Sequence, residues 1–156
     1  MRLIFKQRLF SWFDSYDVYD ENENVVFSVA GRMSFGKKLE IYDAAGQYLG
    51  ELKQKIFSWR PTFEMYLGGS YVGCVSKEYT FLRPKFRIDC NGWRVDGNIF
   101  EWDYSIYSET GSLVAMISKQ VFNWTDTYVL DIYDSFDAPT VLMVALAIDA
   151  EKDNRN

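Results

Sequence analysis

The sequence predicts a mainly β protein: a closed antiparallel barrel of about twelve strands around a buried, apolar C-terminal helix. Three observations lead to this fold class. Turn signals recur at short intervals, the segments between them have strand length and are rich in Val, Ile, Tyr, Phe and Trp, and an apolar run follows residue 137. Short aromatic and β-branched segments bounded by Gly, Asn and Asp are typical of hairpin-connected β proteins.

The turn signals divide the chain into its predicted strands. They contain Gly, Asn and Asp, which tolerate the backbone conformations of tight turns. They lie at 20–24, 43–46, 67–70, 91–92, 96–98 and 108–111. Alternation supports single strands: Leu39 and Ile41 share one face of a strand, while Glu40 and Tyr42 share the other.

An internal repeat marks three of the predicted hairpins. The segment Lys6-Gln7-Arg8-Leu9-Phe10-Ser11-Trp12 recurs at 53–59 and, one residue shorter, at 119–124. An aromatic residue follows each tryptophan by four positions, at Tyr16, Phe63 and Tyr128. We interpret Trp12, Trp59 and Trp124 as core residues at hairpin corners, because large aromatics contribute most to burial. The alternative is a stacking surface for a flat or sugar-like ligand.

The end of the chain predicts one helix, at about 137–150. Asp137 stands at its N-cap and Pro139 in its first turn, and the residues that follow are apolar on every side. A helix that is apolar all round is buried all round, and this one is shorter than the roughly 20 residues that span a bilayer. We therefore place it inside the barrel of a single domain, residues 1–156, with 151–156 as a polar tail in water.

Composition excludes several classes of function. The net charge of −5 argues against nucleic-acid binding, which needs a basic face. The chain contains no histidine, so Ser-His and Cys-His catalysis and histidine-ligated metals are excluded. Cys74 and Cys90, without a CxxC motif or a secretory leader, indicate a reduced, cytoplasmic protein with both cysteines in the core. We therefore expect the protein to have no enzymatic activity and to bind no metal ion or cofactor.

Three segments near the C-terminus carry a family resemblance. Residues 104–119, the run Trp124-Thr125-Asp126-Thr127-Tyr128 and the closing Leu146-Ala147-Ile148-Asp149 together resemble the LURP-one-related proteins, within the tubby C-terminal-like superfamily. The resemblance implies a barrel of about twelve strands threaded by a hydrophobic helix. Tubby-like domains are associated with phosphoinositide head groups, scramblase relatives with calcium and lipid movement, and plant members with defence. A shared fold does not transfer these functions.

The first candidate site is basic. Arg83, Lys85 and Arg87 alternate along one predicted strand, so that all three face the same way, and Lys53 and Lys55 repeat this spacing on another strand. If the two strands are neighbours, the five side chains form a cluster for a phosphorylated head group or an anionic membrane. The alternative is a solvated outer face that prevents aggregation.

The second candidate site is acidic. Asp131, Asp134 and Asp137 precede the helix, and Asp126 lies in the same segment. Carboxylates suit calcium, but no glycine-bearing calcium loop is present, and turn and cap roles explain aspartates at these places.

Two non-enzymatic functions remain open, beside an enzyme without a recognisable catalytic motif. The first is a non-enzymatic binding module for anionic phospholipid, a phosphorylated head group or a membrane surface. The second is a protein-interaction or structural scaffold without a lipid or small-molecule ligand. The sequence does not specify the oligomeric state.

Overall fold

The computed structural model describes residues 1–6, 15–82, 85–122 and 125–153 of the chain. It contains twelve strands, two short 3-10 turns at Ile99–Glu101 and Ser135–Asp137, and one helix, α1, at Ala138–Asp153. The strands are β1 Arg2–Lys6, β2 Ser15–Tyr19, β3 Val25–Ser34, β4 Gly36–Asp43, β5 Tyr48–Gln54, β6 Thr62–Leu67, β7 Ser70–Glu78, β8 Lys85–Asp89, β9 Arg94–Asn98, β10 Asp103–Tyr107, β11 Leu113–Phe122 and β12 Thr125–Ile132.

The strands form one antiparallel sheet that curls around the helix. Its order is β8-β7-β6-β5-β4-β3-β2-β1-β12-β11-β10-β9. Every hydrogen-bonded pair is antiparallel, and β1 joins β12 through the register Arg2↔Asp131 to Lys6↔Thr127. The prediction of an antiparallel barrel of about twelve strands around a C-terminal helix is confirmed.

This topology gives the barrel two distinct ends. All odd-numbered strands run one way and all even-numbered strands run the other, so connections from odd to even strands lie at one end. We call it the apolar end; its described connections are residue 35, 55–61, 79–82 and 99–102. The acidic end comprises the connections 20–24, 44–47, 68–69, 90–93, 108–112 and 133–137.

The barrel is nearly closed, with a seam between β8 and β9. The turn that joins these strands is tight: Asn91 and Gly92 have φ of 55° and 67°, and the Trp93 amide donates to the Cys90 carbonyl at 3.0 Å. Such a turn normally starts a hairpin ladder. Among the described residues, however, β8 pairs only with β7 and β9 only with β10, so the two strands diverge from the turn.

The helix α1 supplies the centre of the core. Residues 141–148 are all buried, on every side of the helix, as expected for a helix without a polar face. The barrel wall approaches it closely, since a Cβ at Gly50 would lie 2.8 Å from the Cε of Met143. The predicted end at 150 is too early: α1 continues to Asp153, and Glu151 is only 2% exposed instead of lying in a solvated tail.

The burial of side chains agrees with the sequence prediction at most of the positions compared, and it disagrees at one tryptophan. Leu39 and Ile41 face the core, while Glu40 and Tyr42 lie on the outer face. In the repeated unit, Phe63 and Tyr128 are buried. Trp59 is fully exposed, so its assignment to the core is wrong. Trp12 and Trp124 lie outside the described residues.

Candidate functional site

The apolar end exposes large hydrophobic side chains on its hairpin tips. Trp59 and Phe81 are fully exposed and Phe57 is 93% exposed. Isolated apolar residues on a surface are ordinary, but a concentration of them at one place marks a binding surface. The exposed set at this end is Phe35, Ile56, Phe57, Trp59, Tyr79, Phe81 and Leu82.

The tip between β3 and β4 packs against the tip between β5 and β6. At the β3–β4 tip, Gly36 has φ of +96°, and a Cβ there would approach Cγ1 of Ile56 to 3.1 Å. The Lys37 amide donates to Oε1 of Gln54 at 3.1 Å, which ties β4 to the end of β5. Between the tips lies a shallow depression of about 360 Å³. It is lined by Phe35, Lys53, Gln54, Lys55, Ile56, Phe57 and Glu64.

A third tip, between β7 and β8, is tied to the second by backbone and side-chain contacts. The Lys77 amide donates to the Pro61 carbonyl at 2.9 Å. Beside it, Arg60 Nη1 lies 3.4 Å from Glu78 Oε1. Beyond these contacts the chain continues into the exposed Tyr79, Phe81 and Leu82. The three tips therefore share one surface.

The predicted basic residues flank this surface but do not form one cluster. Lys85 and Arg87 point outward from β8 while Phe86 and Ile88 face the core, so these two of the three predicted residues share one face. Lys53 is exposed near the end of β5, and Lys55 is exposed in the connection after it. The two pairs are not on neighbouring strands.

Two intervening strands set the distance between the pairs. Because β6 and β7 separate β5 from β8, the pairs lie about 14 Å apart at ordinary strand spacing. This distance suits an extended charged surface better than a single head-group pocket. Arg83 lies outside the described residues.

These four basic side chains are not engaged in ion pairs within the described chain. No described carboxylate lies within 4.0 Å of Lys53, Lys55, Lys85 or Arg87. Lys38, by contrast, lies between Glu40 at 3.7 Å and Glu51 at 3.6 Å. The charges beside the apolar tips therefore remain available to an anionic partner.

The interior of the apolar end contains polar groups. The hydroxyls of Tyr16 and Tyr104 are buried and have no hydrogen-bond partner among the described atoms. Burial, and secondarily the charge of Asp149, raises the pKa of both phenols well above its ordinary value. The side chains of Lys77 and Glu151 are also buried near this end.

The acidic candidate resolves into turn and ion-pair roles. Asp131 pairs with Arg2 at 2.7 Å, and Asp134 accepts a hydrogen bond from the Phe136 amide at 3.0 Å. Asp137 directly precedes α1, and its pKa is raised by burial and by Asp134. The side chain of Asp126 lies outside the described residues. The described residues contain no group of three carboxylate or thiol side chains placed to hold a metal.

The cysteines differ in burial. Cys90 is buried, and burial raises the pKa of its thiol, whereas Cys74 is only partly buried. Both are free. The prediction of a core position is therefore correct for Cys90 and only partly so for Cys74.

The exposed tips are the part of the site that sequence reasoning missed. Their signal was large apolar residues placed inside turn segments: Phe35 before Gly36, Trp59 before Pro61, and the pair Phe81-Leu82. Hydrophobicity alone assigned Trp59 to the core. Within the described residues, no helix has the length and hydrophobicity needed to cross a bilayer.

Comparisons with known proteins agree with this fold. The sequence model of the LURP-one-related family matches residues 1–149. Uncharacterized protein YxjI of Bacillus subtilis is 34% identical over 150 residues, covering 95% of this chain and 90% of the relative. The X-ray structure of an Arabidopsis thaliana protein is similar with a TM-score of 0.59 at 17% identity, covering 99% of this chain and 92% of that one, and supports the fold alone. This chain belongs to the LURP-one-related family.

Proposed function

We propose that this protein is a non-enzymatic module that attaches reversibly to an anionic lipid surface through its apolar end. The observation that carries the proposal is the coincidence of exposed aromatic tips with four basic side chains that have no ion pair among the described residues. Peripheral membrane binding has two elements. Apolar side chains enter the interface between lipid and water, and Lys and Arg side chains face the anionic head groups.

The tips provide the apolar part of this attachment. Phe57, Trp59 and Phe81 already lie in water, so moving them into the interfacial region removes exposed apolar area without unfolding the barrel. Each Å² of apolar surface removed from water contributes roughly 25 cal/mol. Trp and Tyr are favoured at the interface because one part of the ring system is apolar and one part is polar.

The basic residues provide the electrostatic part and the orientation. Each Lys or Arg close to an anionic surface contributes about 1 kcal/mol. The acidic end contains the carboxylates of Asp20, Glu21, Glu23, Glu109, Asp134 and Asp137 in its connections, and none of those connections contains Lys or Arg. A chain with a net charge of −5 is repelled by anionic lipid in most orientations, and this asymmetry favours contact through the apolar end.

The test is binding to liposomes with and without anionic phospholipid, at low and near-physiological salt. Two charge variants separate the halves of the surface: Lys53→Glu with Lys55→Glu, and Lys85→Glu with Arg87→Glu. A third variant combines Phe57→Ser, Trp59→Ser and Phe81→Ser. The matched control is Tyr133→Ser with Phe136→Ser, which removes two exposed aromatics from the acidic end.

The proposal expects anionic liposomes to bind the parent protein and the acidic-end control equally. Each charge pair should weaken binding by about tenfold or more, and added salt should weaken what remains. The variant with three apolar substitutions should lose the part of the liposome binding that resists salt. Absence of binding to anionic liposomes at low salt would refute lipid attachment, and equal loss in the acidic-end control would refute the assignment to the apolar end.

A further inference from the structure

A second apolar surface lies at the opposite end of the barrel. We infer that it is a docking site for a segment of a protein partner that combines Lys or Arg with apolar side chains. We call this surface the Tyr133 patch and define it as Met1, Leu113, Met116 and Tyr133. The inference does not depend on lipid binding, because the patch and the apolar end lie at opposite ends of the barrel.

The patch is a shallow apolar depression. Its volume is about 190 Å³, and Val114, Asp131 and Ile132 complete its lining. All four defining side chains are exposed, Tyr133 to 86%. Phe136, in the same connection before α1, is exposed as well. Methionine adapts its shape to different partners, so Met1 and Met116 suit a surface that accepts an apolar side chain.

The backbone beneath the patch is held in place. The Tyr133 amide donates to the Val114 carbonyl at 3.0 Å, and the Ile132 amide donates to the Met1 carbonyl at 2.8 Å. The N-terminal ammonium of Met1 donates in return to the Ile132 carbonyl at 2.9 Å. A surface fixed before binding loses little conformational entropy when a partner arrives. The exposed side chains therefore stand on an ordered platform.

The charge around the patch selects the kind of partner. Asp131 lines the depression, and Asp134 and Asp137 follow Tyr133 in the connection to α1. Two cations lie beside them, the guanidinium of Arg2, which is engaged with Asp131 at 2.7 Å, and the N-terminal ammonium of Met1, so the excess negative charge comes from Asp134 and Asp137. An anionic lipid surface would be repelled here, whereas a basic segment is attracted. A second copy of this chain would bring the same carboxylates against each other.

The test uses methyl NMR of the full chain, because methionine reports on both the patch and the core. Met1 and Met116 belong to the patch, while Met65 and Met143 are buried and serve as internal controls. The probes are three synthetic peptides of equal length: an amphipathic Leu/Lys peptide, its Leu/Glu counterpart and a Lys/Ser peptide. Tyr133→Ser is the test variant, and Tyr79→Ser, which alters an exposed tyrosine at the apolar end, is its matched control.

The inference expects the Leu/Lys peptide to shift the Met1 and Met116 methyls and to leave Met65 and Met143 unchanged. Tyr133→Ser should weaken that binding by about tenfold, and Tyr79→Ser should not. Unchanged Met65 and Met143 signals in the variants show that both retain their fold.

Four results would overturn the inference. The first is the absence of any shift at Met1 and Met116, and the second is equal binding of the Leu/Glu peptide. The third is equal binding of the Lys/Ser peptide, which would reduce the contact to charge alone. The fourth is a shift of the same methyls on raising the protein concentration without peptide, which would identify a second copy of the chain as the occupant.

Discussion

The hairpin turns at the two ends of the barrel treat polar and apolar side chains in opposite ways. At the acidic end, the turns are polar and hydrogen-bonded internally: Asp20 accepts from the amides of Asn22 and Asn24, and Asp43 accepts from those of Ala45 and Gln47. At the apolar end, aromatic side chains stand in water on the tips. Two charged side chains at that end, Lys77 and Glu151, are instead buried.

This difference separates what stabilises the fold from what is available for binding. Turn aspartates that accept backbone amides lower the free energy of the folded chain. Exposed aromatics do not, because they remain in water in both the folded and the unfolded state. The residues at the apolar tips are therefore explained better by an external partner than by the stability of the barrel.

The largest expected effect is in the shared core between the ends. Leu142→Ala in α1 should lower the free energy of unfolding by about 3 kcal/mol, because Leu142 is completely buried and its removal leaves a cavity. Chemical denaturation monitored by circular dichroism measures the change. A loss below about 1 kcal/mol would indicate that the helix packs loosely in the barrel.

The next effect, of opposite sign, concerns the interior of the apolar end. Tyr16→Phe and Tyr104→Phe each remove a buried hydroxyl that has no partner among the described atoms. Each should raise the free energy of unfolding by about 1 kcal/mol, since an unsatisfied buried polar group costs that much or more. Denaturation at neutral pH tests this. A loss of stability would show that an ordered water or a residue outside the described chain satisfies the hydroxyl.

The same two phenols predict a dependence on alkaline pH. Burial raises their pKa in the folded state above the ordinary value near 10. Below pH 10 the two phenols therefore make the free energy of unfolding no more dependent on pH. Above pH 10 they lower it as the pH rises, because the unfolded chain ionises first. Stability measured from pH 8 to 11 should fall less steeply in the Phe variants. An unchanged slope would contradict the assignment of these two groups.

A smaller effect is expected in a turn of the acidic end. Hydrogen bonds from the Asn24 side chain and amide, and from the Asn22 amide, lower the pKa of Asp20. The stabilisation that the ionised Asp20 gives the fold is therefore complete above the unfolded pKa near 4. It is lost as the pH falls through the lower pKa of the folded state. Asp20→Asn should make stability less dependent on pH below 4. Glu21→Gln, at an exposed neighbour in the same turn, is the control.

The smallest effect is expected on the surface of the apolar end. Trp59→Ser and Phe81→Ser should each change the free energy of unfolding by less than about 0.5 kcal/mol, because both side chains are fully exposed. Thermal unfolding of each variant without lipid measures this. A loss above 1 kcal/mol would show that the tips contribute to the fold and would weaken the contrast between the two ends.

The sequence was sufficient for the fold because periodicity reports directly on burial. Alternation at Leu39 and Ile41 and the apolar run at 141–148 each correspond to a buried surface. The predicted end of the helix was too early, because a charged residue that follows an apolar run normally indicates exposure to solvent. Glu151 is such a residue. Periodicity cannot show that such a side chain is enclosed by the far end of a barrel.

The candidate site was less accessible to sequence reasoning. Strand alternation placed Lys85 and Arg87 on one face of a strand and gave Lys53 and Lys55 the same spacing on another strand, but the distance between the pairs depends on the strand order, which local sequence does not encode. Trp59 was assigned to the core because hydrophobicity predicts burial on average. A turn can direct a side chain either into the core or into solvent, and only the completed fold decides between them.

The order of the strands also constrains how the barrel is made. The sheet opens between β8 and β9, which are consecutive in the chain, and closes between β1 and β12, where Arg2 and Asp131 are 129 positions apart. A chain emerging from the ribosome can assemble β1 to β8 early, but β1 lacks its outer partner and the inner faces lack α1 until β12 and α1 have been synthesised. The half-built sheet then exposes Leu3, Leu39 and Leu52, which are completely buried at the end. Folding of this protein therefore includes an interval in which an apolar sheet face and a strand edge are open to aggregation or to a chaperone.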